Sequence, residues 1–206
     1  MAEHHDQAHP HQPDIEDLPP SHYQLMTEAV ASLLLEKGHF TGDELRLTLE
    51  NIDAKSPADG ARVVARAWTD PAFKDRLLAN VNEAAAELGL DTGHIPIRAV
   101  ANEPGTHNVI VCTLCSCYPR LLLGLPPDWY KARAYRSRAV REPRAVLREF
   151  GLELGDDVTV QVHDSTADLR YMVLPMRPVG TEDWDEADLA SLVTRDCMIG
   201  TAVPKA

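Results

Sequence analysis

Val111-Cys112-Thr113-Leu114-Cys115-Ser116-Cys117-Tyr118 is the stretch around which the chain is organised. Three of its four cysteines fall within six positions there, at C-x-x-C-x-C spacing, and an odd number of thiols is not accounted for by one disulfide. Ahead of it, His107-Asn108-Val109-Ile110-Val111 is rich in β-branched residues and reads as a buried strand running up to Cys112. The sulfurs then sit where a rigid strand ends and a tight turn begins.

Several kinds of chemistry use clustered cysteines. A structural zinc site wants four ligands, normally as two separated pairs, and only Cys197 or His163 is available to complete one here. An iron–sulfur cluster also usually needs a fourth cysteine at a defined spacing. A redox pair would use one C-x-x-C and leave Cys117 unexplained. Three thiolates on one face of a single metal ion fit differently: Cys112 approaches from the strand, Cys115 and Cys117 from the turn. That spacing brings the peptide nitrogens of Ser116 and Cys117 near the same ion, for five ligands with a sixth position open. Cys197 lies apart, in an apolar stretch, and reads as a small buried hydrophobe.

Outward from the turn, four short β-rich runs are expected: Ile95 to Val100, Asn108 to Thr113, Val158 to His163 and Arg170 to Pro175. Between them, Pro127 to Tyr135 and Arg141 to Phe150 read as helices, and Asp185 to Val193 as a late helix capped from Asp183. The first half is helical throughout. Met26, Val30, Leu33 and Leu34 form a stripe that stops before Gly38, and Thr41 with Glu44 has capping-box spacing for a second helix through Ile52. Pro57 to Trp68 reads as a third helix, and Pro71 opens a fourth that Gly89 ends. The expected architecture is α+β: a tail over 1–20, a helical arm over 21–91 that needs something to cover it, and a metal-binding domain over 92–206.

The tail carries His4, His5, His9 and His11 among prolines with no apolar period. It reads as disordered, with a metal-gathering role as the alternative. A net charge of -12 argues against nucleic acid or an anionic membrane as partner. No run approaches 18 apolar residues and the start lacks signal-peptide character, so a cytoplasmic location is expected. Within this acidic chain, the basic run Lys131, Arg133, Arg136, Arg138, Arg141, Arg144, Arg148 reads as a salt-bridged helical face or a subunit interface.

Cys112 to Tyr118 resembles the metal claw of the nitrile hydratase α subunits and of the related thiocyanate hydrolase γ subunit. So do Leu123-Gly124-Leu125-Pro126-Pro127-Asp128-Trp129-Tyr130-Lys131, Arg170-Tyr171-Met172-Val173-Leu174-Pro175 and Leu192-Val193-Thr194-Arg195-Asp196-Cys197-Met198-Ile199-Gly200. The resemblance implies the family's layered α/β/β/α-type fold and the hydration of a nitrile to its amide. It implies Cys112 as an unmodified thiolate, Cys115 as a sulfinate, Cys117 as a sulfenate, and the amides of Ser116 and Cys117 as further ligands. The catalytic set is then Cys115, Ser116 and Cys117. Thr113 is similar to the cobalt-type members, which implies one low-spin Co(III) per chain.

By the same resemblance Asp164, Asp168 and Arg170 form a hydrogen-bonded outer shell, Asp168 standing where the family usually has Glu. Tyr118-Pro119-Arg120 departs from the Tyr-Pro-Trp of ordinary nitrile hydratases, and arginine there is similar to the thiocyanate hydrolase γ subunit. The expected partners are a β-type subunit, as one chain or two split chains, a small nitrile, and an activator protein for cobalt loading. Thiocyanate hydrolysis is the near alternative; a noncatalytic zinc or iron–sulfur subunit is the remote one.

Overall fold

A computed structural model describes residues 19–206, so the readings of the tail lie, except for Pro19 and Pro20, outside the described residues. The described residues fall into two compact units, one running up to Thr48 and the other Leu49–Ala206. In the first, helix α1 (His22–Glu36) starts with a reciprocal cap: Ser21 N–H donates to Gln24 Oε1 at 2.7 Å, and Gln24 N–H to Ser21 Oγ at 3.3 Å. Helix α2 (Gly42–Asp53), which runs across the division, has the expected capping box, with Thr41 N–H on Glu44 Oε2 at 2.7 Å and Glu44 N–H on Thr41 Oγ1 at 3.2 Å. Neither helix buries a residue.

The second unit begins with α3 (Pro57–Thr69), α4 (Pro71–Ala79) and α5 (Val81–Glu87). The single helix expected after Pro71 is two, because Asn80 is extended and its carboxamide oxygen accepts from Asn82 and Glu83 N–H, capping a fresh start. Val63, Val64, Leu77 and Val81 are fully buried. These helices therefore share one core with the strands, inside the compact unit Leu49–Ala206. Burial of their apolar faces is the reason: at Gly60 even a methyl group would meet Leu123 Cδ2 at 2.4 Å and Met198 Sδ at 2.7 Å.

Strands β1 (Ile97–Ala101) and β2 (Thr106–Val111) follow, then α6 (Arg120–Leu123), α7 (Asp128–Lys131), α8 (Arg133–Arg138), α9 (Pro143–Glu149), β3 (Thr159–Asp164), β4 (Arg170–Leu174), α10 (Glu186–Ser191) and α11 (Arg195–Ile199). Extended backbone at Ala132 splits the helix expected over Pro127 to Tyr135. Asp185, not Asp183, caps α10, and α11 was not expected; Thr194 starts it by accepting from Cys197 N–H. The strands form two parallel pairs, β1 with β4 and β2 with β3, with Val111 opposite Asp164 at the end of the second. Trp68 Nε1–H donates to Pro175 O at 2.8 Å, tying α3 to the segment leaving β4.

A buried polar network ties β1, β2 and β3 to the C-terminal segment. Asn102 Oδ1 accepts from Asn108 N–H at 2.7 Å, leaving its amide nitrogen to donate to His107 Nδ1. His107 is thus the Nε2–H tautomer, assigned from these partners, and donates to Gly200 O at 2.7 Å. His163 Nε2 donates to Asn108 Oδ1 at 2.8 Å. Burial lowers the pKa of both histidines. Gly200 is held at φ 93°, where a methyl group would stand 2.0 Å from Asn108 O.

Most of the basic run is satisfied within the chain. Arg138 pairs with Glu142 and Glu149, each at 2.6 Å, and Arg144 donates to the carbonyls of Leu154, Gly155 and Val158. No helix among the described residues is long and apolar enough to cross a membrane.

Candidate metal centre

β2 is buried through its last residue and delivers Cys112, itself fully buried, to the start of the turn. Thr113 through Ser116 are exposed, and the chain is buried again at Tyr118. The cysteine sulfurs converge: Cys112 to Cys115 is 3.5 Å, Cys115 to Cys117 is 3.2 Å, and all three lie within 4.8 Å of one another. Sulfurs held about 2.3 Å from one ion lie about 3.2 Å apart at right angles and about 3.8 Å apart at the tetrahedral angle. Both of the shorter gaps fall within that range, so each of these two sulfur pairs is spaced to share one ion.

The backbone turns the same way. Cys115 N–H donates to Cys112 Sγ at 3.2 Å, and the N–H groups of Ser116 and Cys117 lie against Cys115 Sγ. Thiol hydrogen bonds from Cys117 and Cys112 draw Cys115 down to about 7. Burial, with the hydrogen bond to Cys115, pushes Cys117 up to about 12, against the pull of the Arg170 guanidinium. Cys115, the most exposed of the three, thus gives up its proton ahead of Cys117.

Asp164, at the end of β3, fixes the second residue of the turn. Its carboxylate accepts from Thr113 N–H at 2.9 Å and from the Thr113 hydroxyl at 2.5 Å, while Arg136 donates to Thr113 O at 3.4 Å. A cavity of about 390 Å³ opens on the cysteines, lined by Cys115, Ser116, Cys117, Arg120 and Arg170 among others. Nη1 of Arg170 is buried without a hydrogen-bond partner among the described residues, a cationic donor left free beside the thiols.

The structure thus brings together Cys112, Thr113, Cys115, Ser116, Cys117, Tyr118, Arg120, Asp164 and Arg170. Asp168 stands apart: it is exposed, and its hydrogen bond is made by its own N–H to Thr166 Oγ1. The two residues considered as a fourth zinc ligand are engaged elsewhere. Cys197 is buried against the Thr194 hydroxyl, and His163 is held by Asn108 and packed on Tyr171.

Sequence reasoning missed the opposite wall. Thr92, Gly93, His94 and Ile97 line the cavity, and Asn82 organises them: its amide nitrogen donates to Thr92 Oγ1, Gly93 O and Ile95 O, and its oxygen accepts from Ile97 N–H at 2.8 Å. Nothing local in the sequence marks a helical asparagine for that task. Tyr130 and Tyr135, behind the turn, were read as helix and family-segment residues with no task at the site; both hydroxyls bond the backbone at its two ends.

Comparison with known proteins accords with this centre. The family model for the nitrile hydratase alpha chain matches residues 21–202. The low-molecular-weight cobalt-containing nitrile hydratase subunit alpha of Rhodococcus rhodochrous is 46% identical over 198 residues, covering 94% of this chain and 96% of that one. Thiocyanate hydrolase subunit gamma of Thiobacillus thioparus is 42% identical over 197 residues, covering 90% and 81%. Among solved structures, a recombinant thiocyanate hydrolase comprising partially modified cobalt centers superposes with a TM-score of 0.85 at 41% identity, over 91% of this chain and 92% of that one. With its C-x-x-C-x-C sulfurs gathered at the end of β2, the chain belongs to the nitrile hydratase alpha-chain family.

Proposed function

We propose that this chain is the catalytic, cobalt-bearing subunit of a nitrile hydratase, converting R–C≡N to R–C(=O)NH₂. The observation that carries the reading is the convergence of three thiol sulfurs within 4.8 Å of one another at the end of β2, with Cys115, Ser116 and Cys117 lining an open cavity. Cys112, Cys115 and Cys117, with the amide nitrogens of Ser116 and Cys117, would hold one Co(III), Cys115 as sulfinate and Cys117 as sulfenate. When bound, such an ion polarises a nitrile and acidifies water. Cobalt in the names of relatives supports the choice of metal.

The chain's own residues have distinct tasks in this reading. Asp164 holds Thr113 and with it the direction of the turn. Arg170 and Arg120 set positive charge along the cavity, suited to oxidised, anionic sulfurs and to the nitrogen end of a substrate. Asn82 holds the opposite wall at a fixed distance. The exposed apolar side chains of α1 are the docking face for a β-type partner of one or two chains, and an activator protein delivers cobalt. A cytoplasmic location belongs to the same reading, since the thiols must stay reduced until the metal arrives.

Arg120 favours one second reading, thiocyanate hydrolysis to carbonyl sulfide and ammonia, because a cation in the cavity suits an anionic substrate. Elemental analysis with intact mass tests the centre: about one cobalt per chain, with about 48 Da for three added oxygens, is expected. Zinc with unmodified thiols would refute both readings. Amide release from nitriles measured against carbonyl sulfide release from thiocyanate divides them.

A further inference from the structure

Two buried tyrosine hydroxyls hold the backbone on either side of the cysteine turn. Tyr135, on α8, donates to Ile110 O at 2.7 Å, two residues before Cys112. Tyr130, on α7 and fully buried, donates to Cys117 O at 3.0 Å. The two rings lie 5.7 Å apart, and Tyr130 packs edge-on against Tyr118 at 5.2 Å, so one aromatic block carries both contacts. The buried Ser165 hydroxyl lies against the Tyr130 phenol, and Ser165 N–H donates to Val111 O at 2.7 Å.

The two contacts differ in what they control. Ile110 is inside β2, where the ladder with β3 already fixes the backbone, so the Tyr135 bond is redundant for direction. Cys117 belongs to no helix or strand, and no hydrogen bond to its carbonyl other than that of Tyr130 is made among the described residues. The turn between Thr113 and Ser116 is exposed and cannot supply a substitute through packing. Without that donor the backbone dihedral angles at Cys117 are freed, and with them the direction of its Cα–Cβ bond, on which the 3.2 Å approach of its Sγ to Cys115 depends. A group whose orientation depends on a single buried donor is the kind that outer-shell hydrogen bonds hold at metal sites.

We propose that Tyr130 is a positioning residue for metal capture: its hydroxyl holds the Cys117 peptide so that the three sulfurs face one another before an ion arrives. The proposal rests on the claw being a metal site and is independent of whether a nitrile or thiocyanate is the substrate. Tyr130→Phe removes one oxygen and keeps the ring packing; Tyr135→Phe serves as its counterpart on the strand side. Both are made in the full chain co-expressed with its partner subunit.

The expected result is that Y130F takes up cobalt about 10-fold to 100-fold more slowly than wild type, with a shifted thiolate-to-cobalt absorption. Y135F lowers the thermal midpoint without changing uptake or absorption. A second readout needs no metal: in the metal-free protein, alkylation followed by mass spectrometry finds Cys117 more reactive relative to Cys115 in Y130F than in wild type. Wild-type uptake, absorption and alkylation ratio in Y130F would overturn the proposal, as would an equal loss of uptake in Y135F. If Y130F does not fold, Ser165→Ala, which removes the group against the phenol, replaces it with the same expected directions, and an unchanged alkylation ratio there overturns the proposal. If wild type itself takes no cobalt, the metal reading fails, while the alkylation ratio still decides the role of Tyr130 in arranging the thiols.

Discussion

Helix α1 and the segment from Val109 to Cys112 are both strings of apolar residues, yet their fates are opposite. Val109, Ile110, Val111 and Cys112 are at most 1% exposed, covered by the chain's own helices. In α1, Leu25, Met26, Val30 and Leu33 are each about half exposed and Tyr23 is 81% exposed, although the helix is capped as carefully as any in the molecule. Local signals make both elements; only tertiary burial separates them. The cysteine turn is thus anchored by this chain's own core, whereas the apolar side chains of α1 are left uncovered among the described residues, the face proposed above for a partner.

The sharpest way to break the anchored side is Gly200→Ala. Its methyl group would meet Asn108 O at 2.0 Å in a backbone conformation side chains avoid, and Asn108 lies in the network holding β1, β2 and β3. A loss of about 3 kcal/mol or more is expected, read as a lower urea midpoint of the main transition. A wild-type midpoint would mean that the network does not anchor the turn.

Asp164→Ala acts closer to the metal and more gently. It removes both bonds to Thr113 and leaves β3 in place. Metal affinity should fall about 10-fold to 100-fold, measured by competition with a chelator, while the unfolding midpoint of the metal-free chain stays near wild type.

What could be read in advance follows the same division. The claw was legible because its ligands sit within six residues, and the helix starts at Thr41, Pro57 and Pro71 because capping is a local event. Asn80 was not: the apolar period of α4 runs on into α5, and the break depends on a side chain that accepts from Asn82 and Glu83. Asn82, Tyr130 and His107 act on partners 10 to 93 positions away, and no period or motif announces such pairings. The exposed face of α1 was legible as a stripe, but a stripe does not say whether its cover is in the same chain.

Acid tests the buried network through His107. Burial holds its pKa below the ordinary value near 6.5, since a proton on Nδ1 would face the Asn102 amide and a charge would lose its water. Between the folded value and about 6.5 the unfolded chain binds more protons than the folded one. Stability is therefore fully present above about pH 6.5 and declines as the pH falls through that window, by at most about 1.4 kcal/mol per pH unit for this group. His163 contributes with the same sign. Urea midpoints at pH 7.5 and 5.5 should show the decline, and His107→Asn should reduce it. An equal decline in the variant would place the acid sensitivity elsewhere.

The smallest effect within the chain is expected on α1, and it completes the contrast. Val30 and Leu33 are 49% and 53% exposed, and glutamine suits a helix at least as well as valine, so Val30→Gln with Leu33→Gln removes little that this chain uses. The unfolding free energy of the isolated chain should change by no more than about 0.5 kcal/mol. Recovery of the partner subunit on the tagged chain should drop, because each side chain would otherwise be buried there at about 25 cal/mol per Å². A helix-only defect would lower stability and spare recovery; a partner face would do the reverse. The pair of measurements thus separates an element made stable by its own chain from one made ready for another.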